Sequence, residues 1–238
     1  MCAMYAFMRF CDDLSDESGA TAAAIDRWRI ELTDALAGRL SENPIWPAFK
    51  ASVDRYSIPH EYFYEMIEGV ASDLVPRAIA TFDGLYAYCY RVASVVGMTT
   101  IHIFGFDSPE ALKLAEKCGV GFQLTNILRD VREDAANGRV YIPAEDIARF
   151  DADIGTYDDR FLRLMRFEAD RARAYYNESA PLVGMVHKRS RASLWALIEI
   201  YRRLLGRIER SNFNVLERRI SLPAWEKMGI VLQAAVRS

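Results

Sequence analysis

Residues 122–143 read FQLTNILRDVREDAANGRVYIP. On a helix of 3.6 residues per turn, Phe122, Asn126, Asp130 and Asp134 recur every fourth position and share one face, apolar at its start and acidic at its end. Two carboxylates one turn apart repel each other, so the pair costs stability unless positive charge sits between them. An acidic pair alone is most often a solvated helix face, because charged side chains are mostly exposed.

A second stretch argues against that reading here. Near the start, YAFMRFCDDLSDE places Asp12 and Asp16 one turn apart as well, with Tyr5 and Arg9 on the same side. Two acidic pairs on two apolar-rich helices predict facing helices that share metal ions. Oxygen-only ligands favour Mg²⁺, with Mn²⁺ as the substitute, since Mg²⁺ takes one or two carboxylates plus phosphate oxygens.

Composition narrows the classes. The 238 residues are 51% hydrophobic and 26% charged, with a net charge of −3, which suits one soluble globular domain over 1–238 and offers no general attraction to nucleic acid. Four scattered cysteines without C-x₂-C spacing predict neither zinc nor a disulfide framework, and so a reducing, cytoplasmic compartment. The longest uncharged run, Val92 to Phe106, is 15 residues, short of the ~20 a membrane span needs. No signal peptide is visible at the start.

Periodicity predicts helices throughout. The first runs from Met1 to Asp16 without a capping residue and is ended by Ser18-Gly19; the next covers Ala20–Leu40. After an Asn43-Pro44 turn come helices through Ile45, Phe49 and Val53, and through Tyr62, Met66 and Val70 from Pro59 to about Pro76. A long apolar segment spans Phe82–Phe106, and Ser108-Pro109-Glu110 starts the helix that carries Asp130 and Asp134 to Asn137-Gly138. Gly119 and Gly121 inside that helix each cost about 1 kcal/mol relative to alanine, so they predict a close neighbour or a bulky ligand. A short helix from Pro143 through Ile147, then Asp158–Gly184, Ser193–Leu216 and Leu222–Val236, complete the chain. Nothing alternates with period two, so the fold is expected to be all-α, a helical bundle with a central cavity.

Acidic pairs facing each other in an otherwise apolar bundle describe a cavity charged at one end and greasy along its depth, matched to a diphosphate head on a hydrocarbon tail. Arg9, Arg129, Arg132 and Arg139 lie in or beside the acidic stretches and suit phosphate oxygens. Tyr5, Phe7, Tyr86, Tyr88, Tyr90 and Phe122 are candidates to face a carbocation, although core packing is the commoner role for an aromatic ring.

These stretches resemble the squalene/phytoene synthases. The likeness runs through YAFMRFCDDLSDE, EGVASDL, YCYRVASVVG, FQLTNILRDVREDAANGRVYIP, RARAYY and SLWALIEIYRRLL. It implies an isoprenoid-synthase bundle and Mg²⁺ held by Asp12, Asp16, Asp130 and Asp134 with Asn126 beside them. Arg9, Arg129 and Arg139 would reach diphosphate oxygens, Gln123 would join Asn126 in binding substrate, and Tyr5 would line the reacting centre. The implied reaction is a head-to-head condensation of two all-trans prenyl diphosphates through a cyclopropyl diphosphate. Farnesyl (C15) diphosphate and a squalene-type product, with NADPH and a hopanoid or sterol route, are the expectation; geranylgeranyl (C20) diphosphate, phytoene and no NADPH are the alternative. A monomer in peripheral contact with the membrane is also expected, because the product is very apolar.

The resemblance has two gaps. Family members carry a Ser-Phe-containing helix ahead of the first acidic stretch, so the chain as it stands is expected to be weakly active or inactive. Ala78-Ile79 stands where Arg-Tyr is usual, which removes one polar contact. Two rivals fit less well. A head-to-tail transferase or terpene cyclase calls for D-D-x-x-D, whereas this chain has N-x-x-x-D-x-x-x-D. A non-catalytic assembly factor predicts eroded aspartates, and all four are present.

Overall fold

A computed structural model describes residues 1–16, 21–75 and 77–236, apart from the side chains of Asp12, Ser15, Asp16 and Arg77. Helix α1 (Cys2–Asp16) buries Met4, Phe7 and Cys11, three positions on one face. Phe7 sits among aromatic rings of the next three helices: Trp28 of α2 (Ala22–Leu36) at 5.6 Å, Phe49 of α3 (Ile45–Tyr56) at 4.7 Å and Phe63 of α4 (Glu61–Ser72) at 5.4 Å. Such offset and edge contacts fix α1 firmly although no cap starts it. The Ser18-Gly19 break lies outside the described residues.

The apolar segment after α4 is one rod in three parts: α5 (Phe82–Cys89), a π-helical turn at 90–94 and α6 (Val95–Phe104). Packing explains the π turn. Helix α7 (Glu110–Ala136) crosses it at Gly119, where an added Cβ would lie 2.6 Å from the Ser94 Cα, and the Ser94 hydroxyl donates to the Glu116 carbonyl at 2.8 Å. Gly121 in turn lies against the Tyr176 ring, whose hydroxyl donates to the Gly121 carbonyl at 2.9 Å. Both glycines therefore serve close helix approach, the first of the two uses expected.

The all-α expectation holds, with one local addition. Two-residue strands β1 (Arg77–Ala78) and β2 (Arg139–Val140) pair in parallel, too short to show alternation, and tie the turn after α4 to the turn after α7. Helix α8 (Ala144–Arg149) follows Pro143. The helix expected over 158–184 is interrupted: α9 (Asp159–Glu178) stops ahead of Pro181, which disfavours helical geometry before it, and α10 (Leu182–Met185) is separate. Helix α11 (Lys188–Arg210) starts earlier than expected and ends where Asn212 and Phe213 take left-handed backbone, at φ 53° and 57°. The last helix, α12, spans Ala224–Val236.

Apolar side chains gather on either side of α7. One cluster joins α7, α9 and α11 around Leu124, Phe161 and Leu205, and the other joins α1–α4 with α6. Phe122 touches both and stacks on Tyr201 at 4.2 Å. The cavity opens between these clusters.

Candidate active site

Helix α7 contributes Gln123, Asn126, Asp130 and Asp134 to a chamber of about 330 Å³. The β1–β2 pair brings two separate turns to the same place, so that Asp73, Arg139 and Tyr141 join them. The Arg139 guanidinium donates to the Asp73 carbonyl at 2.8 Å. The Asp73 carboxylate accepts from Tyr141 at 2.7 Å and from Tyr88 at 3.0 Å, and the two phenol rings stack at 4.7 Å. Burial, with Asp73 beside them, pushes both phenols far up, so they stay protonated donors. Arg91 also lines the chamber, its Nε donating to Glu65 at 2.9 Å.

The two aspartates of α7 differ in charge state. Burial pushes the Asp130 carboxyl up, but hydrogen bonds from Arg129 at 2.8 Å and Arg219 at 2.9 Å outweigh it and hold Asp130 below the usual carboxylate range. Asp134 lacks such a clamp. Burial first, and the Asp130 charge second, push it up to about 7 against the pull of Arg139.

A second chamber, of about 550 Å³, continues from the first across a shared wall of Met8, Val92, Val96, Gln123 and Asn126. It is apolar and runs between α6 and α7 past Gly97, Gly119 and Ala115, with Leu194, Leu197 and Tyr201 of α11 on its far side. Ala115 lies 15 residues before Asp130, so the two chambers together follow α7 for about 22 Å at 1.5 Å per residue.

Of the expected site residues, Gln123, Asn126, Asp130, Asp134 and Arg139 meet in the polar chamber. Tyr5 and Arg9 border the apolar one instead. Arg9 pairs with Asp13 at 2.8 Å, one turn away on its own helix, and so is not aimed at the acids of α7. Arg129 and Arg132 face the segment after α11: Arg129 lines a separate cleft while holding Asp130, and Arg132 donates to the Glu217 carbonyl at 2.8 Å. The side chains of Asp12 and Asp16 lie outside the described residues. Among the aromatic candidates Tyr5, Tyr88 and Phe122 reach the chambers. Phe7 is consumed by the aromatic core, Tyr86 donates to Glu116, and Tyr90 packs with the α1–α4 cluster. Sequence reading passed over Asp73, Arg91, Tyr141 and Arg219. Asp73 stood in the quoted EGVASDL stretch, whereas nothing marks Arg219, 89 positions beyond Asp130.

The donor set fits magnesium. Asn126 Oδ1 is buried with no hydrogen-bond partner, while its amide nitrogen donates to Gln123 at 3.3 Å. An orphaned oxygen of this kind is costly unless a ligand takes it. It stands one turn before Asp130 on the stripe that ends in Asp134, where burial first and the neighbouring Asp130 charge second raise the carboxyl. Among the described residues no three acids, histidines or cysteines converge into a complete shell.

Acids and guanidinia at one end of an apolar chamber in an all-α bundle define an isoprenoid-synthase type of enzyme. The chain belongs to the squalene/phytoene synthase family, which it matches over residues 1–226, and is a prenyltransferase of that family. It is 34% identical over 256 residues to the 15-cis-phytoene synthase of Synechococcus elongatus, covering 99% of this chain and 83% of that protein. It is 35% identical over 260 residues to the phytoene synthase of Arthrospira platensis, with the same coverage. Among solved structures, a dehydrosqualene synthase in complex with ligand superposes with a TM-score of 0.91 at 27% identity, over 99% of this chain and 84% of that one. A squalene synthase from Alicyclobacillus acidocaldarius gives 0.84 at 31% identity, over 89% and 82%.

Proposed function

We propose that the chain joins two molecules of geranylgeranyl diphosphate head to head to form phytoene, without NADPH. The observation that carries this reading is the pair of relatives at 34–35% identity, both named phytoene synthases and both matched over 99% of the chain. It replaces the C15, squalene-type expectation.

Magnesium, when bound, supplies the Lewis acid that offsets charge on the departing diphosphate. Asn126, Asp130 and Asp134 would hold it, with Asp12 and Asp16 of α1 as the opposing ligands. Arg91 and Arg139 line the chamber beside these acids and offer forks to the diphosphate oxygens. Loss of diphosphate from one substrate leaves an allylic cation, which the double bond of the second attacks; a proton leaves and the cyclopropyl diphosphate forms. Its own ionisation, rearrangement and loss of a proton give the hydrocarbon. Tyr5, Phe122 and Tyr201 face the apolar path, where water is excluded and ring faces stabilise positive charge. The Asp73 carboxyl group, which accepts hydrogen bonds from two phenols, is held fixed at the chamber wall.

In this reading the protein acts as one domain and a monomer in a reducing, cytoplasmic compartment, in peripheral contact with a membrane. All four cysteines are free, which fits that compartment. Incubation with labelled farnesyl or geranylgeranyl diphosphate, each with and without NADPH, tests the substrate. Phytoene from the C20 substrate alone is expected; squalene or dehydrosqualene as the main product would overturn the reading.

A further inference from the structure

The C-terminal helix pair carries a surface that no step of the reaction uses. On α12, Trp225, Met228, Leu232 and Val236 are 74%, 60%, 62% and 88% exposed. At about 100° per residue these four fall within an arc of roughly 80°. The opposite side, Ile230 and Ala234, is buried. A helix packed on a soluble domain ordinarily turns its polar side outward, and α12 turns an apolar side outward as well.

Charge is concentrated in the same region. Residues 188–238 hold 11 Lys and Arg against 4 Asp and Glu, a net +7, while residues 1–187 hold 19 against 29, a net −10. Among the described residues from 188 on, eight basic side chains are exposed against one acid, Glu217. Arg207, Arg218 and Arg219 line a cleft of about 310 Å³ together with Pro223, two residues before Trp225. Arg218 has no carboxylate within 4 Å among the described residues.

We infer that α12 and the adjoining basic cleft dock on an anionic lipid bilayer, with Trp225 and Leu232 set into the headgroup boundary and the exposed Arg218 and Lys227 on lipid phosphates. An exposed tryptophan beside an apolar helical face and flanking cations is the pattern that seats a helix in a membrane interface. A second copy is the poorer occupant, because a twofold contact here would set one +7 region against another. No helix among the described residues is long and apolar enough to cross a membrane, so the contact is peripheral. Helix α11 lines the apolar chamber with Leu194 and Leu197 and carries α12 through Arg203–Gln233 and Arg207–Glu226 hydrogen bonds. Docking thus sets the chamber close to the phase that holds prenyl tails and dissolves hydrocarbon; only this last purpose rests on the proposed reaction.

Sedimentation with vesicles tests the inference without substrate or metal, and so separately from the prenyl-transfer reading. Vesicles of phosphatidylcholine with phosphatidylglycerol are expected to bind the chain at least roughly tenfold more tightly than phosphatidylcholine alone, and about 0.5 M NaCl to weaken that binding. Trp225→Ser with Leu232→Ser, and separately Arg218→Gln with Lys227→Gln, should each lower it about tenfold while far-UV CD and Tm stay unchanged. Equal binding to both vesicle types, unchanged binding of the variants, or a dimer in ultracentrifugation that the Trp225→Ser/Leu232→Ser variant abolishes would overturn it.

Discussion

The polar and apolar chambers share a wall yet are built by opposite means. The polar one is made of added groups: acids, guanidinia and phenols brought together from α4, α5, α7 and β2. The apolar one is made by helix packing: Gly97 and Gly119 let α6 and the π turn pack closely on α7, and apolar side chains of α1, α6, α7 and α11 wall the space left between them. Chemistry is thus carried by individual residues that a substitution can silence, whereas substrate length is carried by space that a substitution can occupy. The two properties are expected to separate by mutation.

The largest effect belongs to the acids. Asp130→Asn with Asp134→Asn should lower diphosphate release by about 10³-fold or more, with helical CD intact, because the charge that recruits the metal is gone. Retained turnover would dissolve the distinction between the chambers. Next in size, Ala115→Phe should leave C15 turnover largely intact while lowering kcat/KM for the C20 substrate by roughly 10- to 100-fold. An equal loss on both substrates would place Ala115 outside the tail path.

Legibility in the sequence divides along the same line. Asp130, Asp134 and Asn126 could be read from four-residue spacing, since a helix puts such positions on one face whatever surrounds it. Asp73 could not be read that way, because its place depends on a two-residue strand pairing that joins turns 66 residues apart. Arg9 pairs with Asp13 on its own helix, a contact that the spacing of the acidic pairs does not reveal. The apolar path was illegible for a different reason: its width depends on α6, α7 and α11 jointly, and no one segment records how closely the others approach. Gly119 hinted at it by a helix penalty that needed explaining. The break at Pro181 obeyed a local rule that the longer amphipathic pattern masked.

Smaller effects sharpen the account of the polar chamber. Arg219 holds Asp130 in competition with any cation, so Arg219→Gln should tighten Mn²⁺ binding to the substrate-free protein by about three- to tenfold, read by electron paramagnetic resonance. A weaker affinity would mean that Arg219 positions the carboxylate for the ion rather than competing with it. Asp134 gives the smallest change, in stability. Its carboxyl is raised to about 7 from 3.8, so protonation favours the folded chain: this contribution is full below pH 3.8 and is lost as pH rises through 7. Asp134→Asn should therefore raise Tm at pH 8 by about 2–4 °C and flatten the fall in Tm between pH 5 and 8, even as it removes activity. A lower Tm at pH 8 would show that Arg139 compensates for the charge.

Anomalous diffraction from crystals soaked with Mn²⁺ and a non-ionisable thio-analogue of geranylgeranyl diphosphate tests the central claim most directly. Metal peaks bonded to Asp130, Asp134 and the Asn126 amide oxygen, with the tail running past Gly119 to Ala115, are the predicted result. Metal bound away from α7, or a tail lying outside the path between α6 and α7, would contradict it.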